Sequence, residues 1–366
     1  MSQDTTRSAD RSTEAGPVRR TLRPERVREA SLAVTILLAI LVLGLVPGNL
    51  LSGRFFVRVT TGVAITALLA AAQTVVILTR NIDLSVGSMV GVTAYLTGEF
   101  LADHPTASPL VAVGLALAIG CVLGLINGAL VAYGRVPAIV ATLGTLAVFR
   151  TVLIEHANAQ NITVDTLPQW LSDLSRARLG GIGDFDLRVV FATVVLLILI
   201  LHWVLGRVRW GRWLYAVGSN PDAARQAGLP VQRMTLGAFV VCGALSGLAG
   251  FMFLVRFGTI TVFAGAGLEL ASVAAAVVGG VSTLGGSGTL VGALFGAVLI
   301  DLLNQGLLRV PQVSEFWRDA ILGALILAAV AGDFLLRRRL RGFWEAGSRR
   351  SASAGGPTGG GAVADA

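Results

Sequence analysis

Three histidines (His104, His156, His202) and two cysteines (Cys121, Cys242) stand singly along the 366-residue chain. None is paired at the spacing of a zinc site or of a Cys/His nucleophile. Both cysteines fall inside apolar runs, where a small buried hydrophobe is the ordinary role. The 29 basic residues are all arginine, and lysine is absent. A phosphate-cradling loop ends in Gly-Lys-Ser/Thr and a Schiff base needs a lysine amine, so neither chemistry belongs to this chain. Any ATP consumed is hydrolysed by another polypeptide. An intramembrane protease needs a Ser/His pair, paired aspartates or an HExxH motif at depth, and none is present; a receptor would carry a larger soluble module.

The remaining polar chemistry lies within apolar runs. Arg150, Glu269 and Asp301 are ionisable groups there, and Gln73, Asn127, Thr142, Thr145 and Asn304 are neutral hydrogen-bonding groups. An aspartate at the centre of a membrane helix costs roughly 2.5 to 3.5 kcal/mol. Asp301 is therefore expected to face the bundle interior and find a partner. The neutral groups read either as hydrogen bonds between helices or as contacts for a sugar hydroxyl.

The elements that position these groups follow from composition. Hydrophobic residues make up 54% of the chain and charged residues only 14%, with mean hydropathy +0.76; soluble domains carry about 25% charged residues. A membrane span needs roughly 20 apolar residues. That ruler predicts an all-α, polytopic helical bundle of ten spans near 31–47, 59–79, 84–101, 110–133, 137–154, 188–206, 234–255, 268–283, 289–308 and 317–336. Residues 1–30 form an arginine-rich leader, 31–336 the permeating domain, and 337–366 a small polar tail expected to be disordered. With the N-terminus in the cytoplasm, twenty arginines fall on the cytoplasmic side and eight on the other. The positive-inside rule favours that orientation, so the +8 charge reads as topology and not as affinity for nucleic acid.

Glycines recur four apart at Gly87/Gly91, Gly120/Gly124/Gly128, Gly243/Gly247 and Gly288/Gly292/Gly296. They read as close helix packing or as sliding surfaces of a moving bundle. Two segments in opposite halves are interrupted: RNIDLSVGSMVGV (80–92) and VVGGVSTLGGSGTLVG (277–292). Unwound backbone at membrane depth must be buried in protein or line an aqueous cavity, and matched breaks point to a transport pathway; tight turns at the surface are the other reading. The candidate path residues are Asn81, Asp83, Ser85, Gln73, Asn127, Thr142, Thr145, Glu269, Asp301 and Asn304.

In the long loop 207–233, Asn220 reads as an N-cap, Pro221 as the first helical residue, Asp222 as a complement to the positive helix end and Gly228 as the left-handed stop. A helix over 221–227 is too short to stand alone in water. It is held against the chain's own spans, as a shield, or against a cytosolic partner.

NIDLSVGS (81–88), VPAIVATLGTL (136–146), GRWLYAVGSNPDAARQAG (211–228), GLELASVAAAVVGGVSTLGGSGT (267–289) and GALFGAVLIDLL (292–303) together resemble the permease subunits of bacterial ABC importers for monosaccharides. This is the ribose/xylose/rhamnose class, to which autoinducer-2 permeases are similar. TRNIDLSVGS looks closest to the rhamnose and autoinducer-2 branch, since ribose permeases tend to read Gly-Gly-Ile-Asp-Leu-Ser. The related branched-chain amino-acid permeases are the nearest rival.

The resemblance implies a multi-pass permease of the bacterial inner membrane with both termini cytoplasmic. It pairs with itself or a sister permease, with an ATPase of two nucleotide-binding cassettes that holds ATP and Mg, and with an extracytoplasmic solute-binding protein. No cofactor is implied on this chain. The stretch Ser219, Asn220, Pro221, Asp222, Ala223, Ala224, Arg225, Gln226, Ala227 and Gly228 matches the ATPase-docking loop of such permeases. Cysteines placed at Gln160 and Asn220 are expected to react with impermeant thiol reagents from opposite sides of the membrane; reaction from one side would overturn the topology.

Overall fold

The computed structural model describes residues 24–45, 51–158, 160–309 and six single positions between 317 and 327. In chain order the helices are α1 (Pro24–Gly44), α2 (Gly53–Ile77), α3 (Val86–Asp103), α4 (Pro109–Ala132), α5 (Ala138–Ala157), α6 (Gln169–Arg176), α7 (Val189–Arg207), α8 (Arg209–Ser219), α9 (Pro221–Gln226), α10 (Val231–Phe257), α11 (Leu268–Val278) and α12 (Leu290–Leu307). A 3-10 turn at Val164–Thr166 and an antiparallel hairpin of β1 (Arg178–Ile182) and β2 (Phe185–Arg188) complete them.

Nine of the ten expected spans coincide with α1–α5, α7, α10, α11 and α12. The tenth, 317–336, lies outside the described residues apart from single positions, as do most of the leader and all of the tail. Helix α1 begins at Pro24, so it runs into the arginine-rich leader and not only through the apolar stretch from 31. Among the described residues, six helices (α2, α4, α5, α7, α10, α12) are long and apolar enough to cross a membrane by themselves. Helix α3 is not among them because Thr93, Thr97, Glu99 and Asp103 lower its hydropathy. It is packed by α10, α5 and α4, and most of its residues are buried in protein.

The expected span 268–283 is corrected: α11 stops at Val278. Eleven residues rise about 16 Å, half the hydrocarbon thickness of about 30 Å. The glycines that follow, Gly280 at φ 91° and Gly285 at φ 79°, leave the helical region altogether.

Contacts sort the connections into two ends. Glu29 of α1 accepts from Thr289 at the start of α12 (2.9 Å), and the segments 78–81, 208–220 and 284–288 meet at that same end. At the other end Ile162 pairs with Ile260, Trp170 donates to the Ala107 carbonyl, and Phe56 meets Phe185 edge-on. This is the alternation that the span order requires.

The core is organised on α2 and α10, which pack against one another and against α3, α4, α11 and α12. Helices α4 and α10 share the largest helix contact. A Cβ added to Gly120 would lie 2.8 Å from Gly247 Cα, one on Gly124 2.9 Å from Gly243 Cα, and one on Gly243 2.7 Å from Gly124 Cα. The two backbones therefore touch, and the four-residue glycine spacing here is a packing seam. Gly292 and Gly296 serve the same purpose between α12 and the C-terminal half of α11 (Gly279, Ala275). Lipid tails supply no hydrophobic drive to bring helices together, so close van der Waals contact carries the association.

Gly243→Leu is expected to destabilise the detergent-solubilised protein by about 3 kcal/mol or more, because no flexible side chain can yield to it. Gly114→Leu, at a position with open space around it, is expected to leave the thermal midpoint unchanged. Equal midpoints for both variants would refute the seam.

Candidate functional site

The first interrupted segment, 78–85, turns back on itself between α2 and α3. Arg80 sits at φ 66°, and its amide bonds to the Ile77 carbonyl (2.9 Å), closing α2. Beyond it the chain re-enters the protein. The carboxylate of Asp83 accepts from the Ser85 amide (2.9 Å), the Ser85 hydroxyl (2.7 Å) and Asn127 Nδ2 (3.1 Å to Oδ2). Asn127 Nδ2 also reaches Ser85 Oγ at 2.7 Å. Gln73 pairs with the Asp83 backbone in both directions, its Nε2 donating to the carbonyl and its Oε1 accepting from the amide (3.3 Å). Thr142 Oγ1 accepts from the Leu84 amide (3.1 Å) and donates to the Ala138 carbonyl (2.8 Å).

Gln73, Asp83, Ser85, Asn127 and Thr142 are all fully buried. Half of the candidate path residues thus belong to one network that joins α2, α3, α4 and α5. Its chemistry is that of a lock: buried polar groups spend their hydrogen bonds on one another and on unwound backbone. Asn127 Oδ1 has no partner within it.

The other candidates stand elsewhere. Asn81 lies at the surface end and donates to the Thr79 carbonyl (2.9 Å). Thr145 is buried but donates only to the Thr142 carbonyl of its own helix (3.3 Å). Asp301 of α12 is buried against Gly62 of α2, where an added Cβ would come within 2.5 Å of its Oδ1 and 3.2 Å of Arg256 Nη1. Asp301 Oδ2 has no hydrogen-bond partner, and no ion pair to it forms among the described residues. Arg256, in the last turn of α10, flanks the same glycine. Asn304, one turn along α12 from Asp301, has an unpartnered Oδ1.

A second dipping segment was missed in the sequence. The stretch 258–267 reads there as an ordinary connection, yet only its start lies at the end shared with Ile162. From Ile260 the chain descends until the Ala264 carbonyl lies 2.5 Å from where a Cβ on Gly91 would sit, and the Gly265 carbonyl 2.6 Å from one on Gly87. Arg150 holds it there, donating from Nη1 to the Val262 carbonyl (2.9 Å) and the Ala264 carbonyl (2.7 Å). Glu269, in the first turn of α11, accepts from the Gly267 amide (3.1 Å) and packs on Gly87. Gly258, Gly265 and Gly267 all take positive φ, and that glycine spacing was the available signal. Gly87 and Gly91 are therefore small because a descending strand of backbone lies on α3.

The third part is the loop carrying α9. Asn220 Oδ1 accepts from the amides of Asp222 and Ala223 (3.1 Å each), Pro221 opens the helix, and Gly228 stops the turn at φ 78°. Arg225 pairs with Asp222 at 3.0 Å. The helix runs Pro221–Gln226, one residue shorter than expected. It is held by its own chain: Ala224 is buried, and its carbonyl accepts from the Leu229 amide (2.9 Å). Asp222, Ala223, Arg225, Gln226 and Ala227 are exposed, so the free face is theirs and not that of Ala224.

At this end the interrupted segments meet the loop. Arg80 donates from Nε to the Gly218 carbonyl and from Nη2 to the Ser219 carbonyl, both at 2.6 Å. The Gly286 amide donates to the Leu78 carbonyl (3.1 Å), and Tyr215 Oη to the Gly288 carbonyl (2.9 Å). Among the described residues no three His, Cys, Asp or Glu side chains gather to hold a metal ion.

Both interruptions of the apolar bundle are thus bonded to α8, whose end leads into the capped α9. The sequence model of the permease component of branched-chain amino acid transport systems matches residues 55–330. The chain belongs to this permease family. It is 37% identical over 313 residues to the autoinducer 2 import system permease protein LsrC of Yersinia pestis (strain Pestoides F), covering 85% of this chain and 86% of the relative. It is 38% identical over 310 residues to the protein of the same name from Shigella flexneri (83% and 87%), and 37% identical over 310 residues to that of Escherichia coli O157:H7 (83% and 87%). No solved structure matches the chain. The resemblance to ABC importer permeases carried by the five sequence motifs is thereby confirmed.

Asp83→Ala removes the acceptor shared by Ser85 and Asn127, at a cost of about 1–3 kcal/mol. It is expected to lower the thermal midpoint and to speed tryptic cleavage after Arg80 in detergent. Thr145→Val is expected to do neither; identical behaviour of the two variants would remove the lock.

Proposed function

We propose that this permease is the membrane-spanning subunit of an ATP-driven ABC importer that passes a small neutral sugar or sugar-like solute, of the monosaccharide or autoinducer-2 type, into the cell by alternating access. The observation that carries the reading is the junction at α9. An exposed, capped helix is hydrogen-bonded through the end of α8 to the segments 78–81 and 284–288, so a push on one surface element reaches both interruptions. ATP and Mg reside on a partner ATPase with two nucleotide-binding cassettes. A difference in ATP affinity between the inward-facing and outward-facing arrangements is what drives the switch.

In this reading the end bearing α9 is cytoplasmic, and both chain termini lie on that side of the bacterial inner membrane. A cleft of about 1010 Å³ beside α9 is lined by Arg135, Arg225, Arg233, Tyr133, Asn81 and Gln232 among others, with no carboxylate. That positive surface suits an acidic face on the ATPase. The opposite end carries a mixed-charge hollow of about 440 Å³ formed by Arg54, Arg58, Arg178, Arg188, Asp184 and Asp186, which suits a docked solute-binding protein. Helices α4, α5 and α7 are buried over only about a quarter of their length, leaving apolar faces for lipid and for a second permease, identical or sister.

The description of the matching family favours a branched-chain amino acid as cargo. Two observations count against it. Arg150 is engaged with backbone carbonyls and Asp83 with Ser85 and Asn127, so neither is left open to the charged groups of a zwitterion. The relatives named above are autoinducer 2 permeases.

Cells lacking the gene are expected to lose uptake of labelled rhamnose, ribose or autoinducer-2 and to keep that of labelled leucine. The reverse pattern would move the cargo to amino acids. Complementation with Ala223→Trp, on the exposed face of α9, is expected to restore membrane insertion but at most about a tenth of the uptake, the loss of roughly 1.4 kcal/mol of coupling. Full uptake would strip α9 of its docking role.

A further inference from the structure

We propose that Arg80 is the residue through which movement of α9 is delivered to the two interrupted segments. The proposal rests on the reading of α9 as the ATPase-docking helix and adds the route by which the push travels.

The carbonyls of the last turn of a helix have no partner within it. At the end of α8 two of these, Gly218 and Ser219, accept from the guanidinium of Arg80, from Nε and Nη2 respectively, at 2.6 Å each. Ser219 directly precedes Asn220, the cap of α9. A displacement of α9 therefore carries both carbonyls with it. Two roughly parallel N–H bonds from a planar fork resist rotation as well as stretching, which one ammonium on a flexible stem does not.

What Arg80 grips is matched by what holds Arg80. Its backbone lies at φ 66°, a region that L-residues other than Asn and Asp avoid, so the segment has little freedom to absorb a pull. Leu78, two residues earlier, accepts from the Gly286 amide (3.1 Å). A Cβ on Gly285 would lie 2.5 Å from Arg80 Cγ, and one on Gly286 would lie 2.5 Å from Ser219 Oγ. The end of α2, the end of α8 and the turn before α12 are thus one cluster with Arg80 at its centre. On the far side, Asp83 is fixed to Gln73, Ser85 and Asn127, so the start of α3 moves with Arg80. The 284–288 turn leads directly into α12, which carries Asp301 and Asn304.

Three variants separate the contributions. Arg80→Gly suits the left-handed backbone and removes the fork; Arg80→Lys keeps the charge without the fork; Arg80→Ala removes the fork and strains the turn. In the complete transporter, reconstituted with its ATPase and binding protein, Arg80→Gly is expected to hydrolyse ATP within about twofold of the wild type. Solute imported per ATP is expected to fall about tenfold, as loss of two charge-assisted hydrogen bonds predicts, with Arg80→Lys in between. Wild-type import per ATP in Arg80→Gly would overturn the proposal.

Hydrogen exchange on the permease alone gives a readout that needs no partner. Arg80→Gly is expected to speed exchange of the amides at 219–226 and at 284–288 together, and unchanged exchange at either segment would overturn the link. A wild-type transporter that imports nothing would sink the functional reading while leaving the exchange measurement to decide on Arg80.

Discussion

Inside hydrocarbon, a backbone amide or carbonyl without a partner costs several kcal/mol, and the two described segments that dip into the bundle are shaped by that constraint. Where α2 gives way to α3, the freed groups are taken up by Gln73 and Thr142. Where the chain descends after Ile260, the carbonyls of Val262 and Ala264 are taken up by Arg150. At the surface end, the last carbonyls of α8 are likewise taken up by Arg80. Gln73, Thr142, Arg150 and Arg80 stand where helix is interrupted; Asp301 and Asn304 do not.

The same constraint explains the allocation of glycine. The seam of α4 with α10 and that of α11 with α12 use glycine to bring one helix backbone against another. Gly87 and Gly91 instead clear a path for non-helical backbone along α3. The outer helices α4, α5 and α7 keep their large apolar side chains on the faces turned away from the bundle, where Leu125, Val140 and Leu196 remain exposed. Their inward faces carry polar groups and close contacts, as Asn127 and Gly124 on α4 and Thr142 and Arg150 on α5 show. Inward and lipid-facing surfaces follow from one rule applied at two depths.

Features encoded locally were legible in the sequence. The spans follow from hydropathy, and the capped helix follows from Asn220, Pro221 and Gly228, because caps depend on neighbours within a few residues. The orientation of that helix was not legible: Ala223 and Ala224 are chemically the same, and only packing against α8 and α10 turns one of them inward. Arg80 registered as a charge to be counted toward topology and Arg150 as an ionisable group within a span, since their partners are carbonyls, which leave no mark on residue identity. The setting of Asp301 was half visible. Depth demanded that it face the bundle interior, but Gly62 and Arg256, which flank it, lie on other helices and nothing local links them to it. Five of the ten polar residues singled out for a pathway proved to be one network for the related reason that unwound backbone and a solute hydroxyl ask for the same side chains.

The α4–α10 seam has a consequence for genetics. A clash in an ordinary core is relieved by trimming the residue opposite, but the residues opposite Gly120, Gly124 and Gly243 are already glycines with nothing left to trim. Revertants of a lesion at this seam should therefore restore glycine or alanine at the original codon, and intragenic suppressors on the facing helix should be missing. The two helices are thus expected to tolerate substitution on their lipid side and to resist it where the two chains of atoms meet.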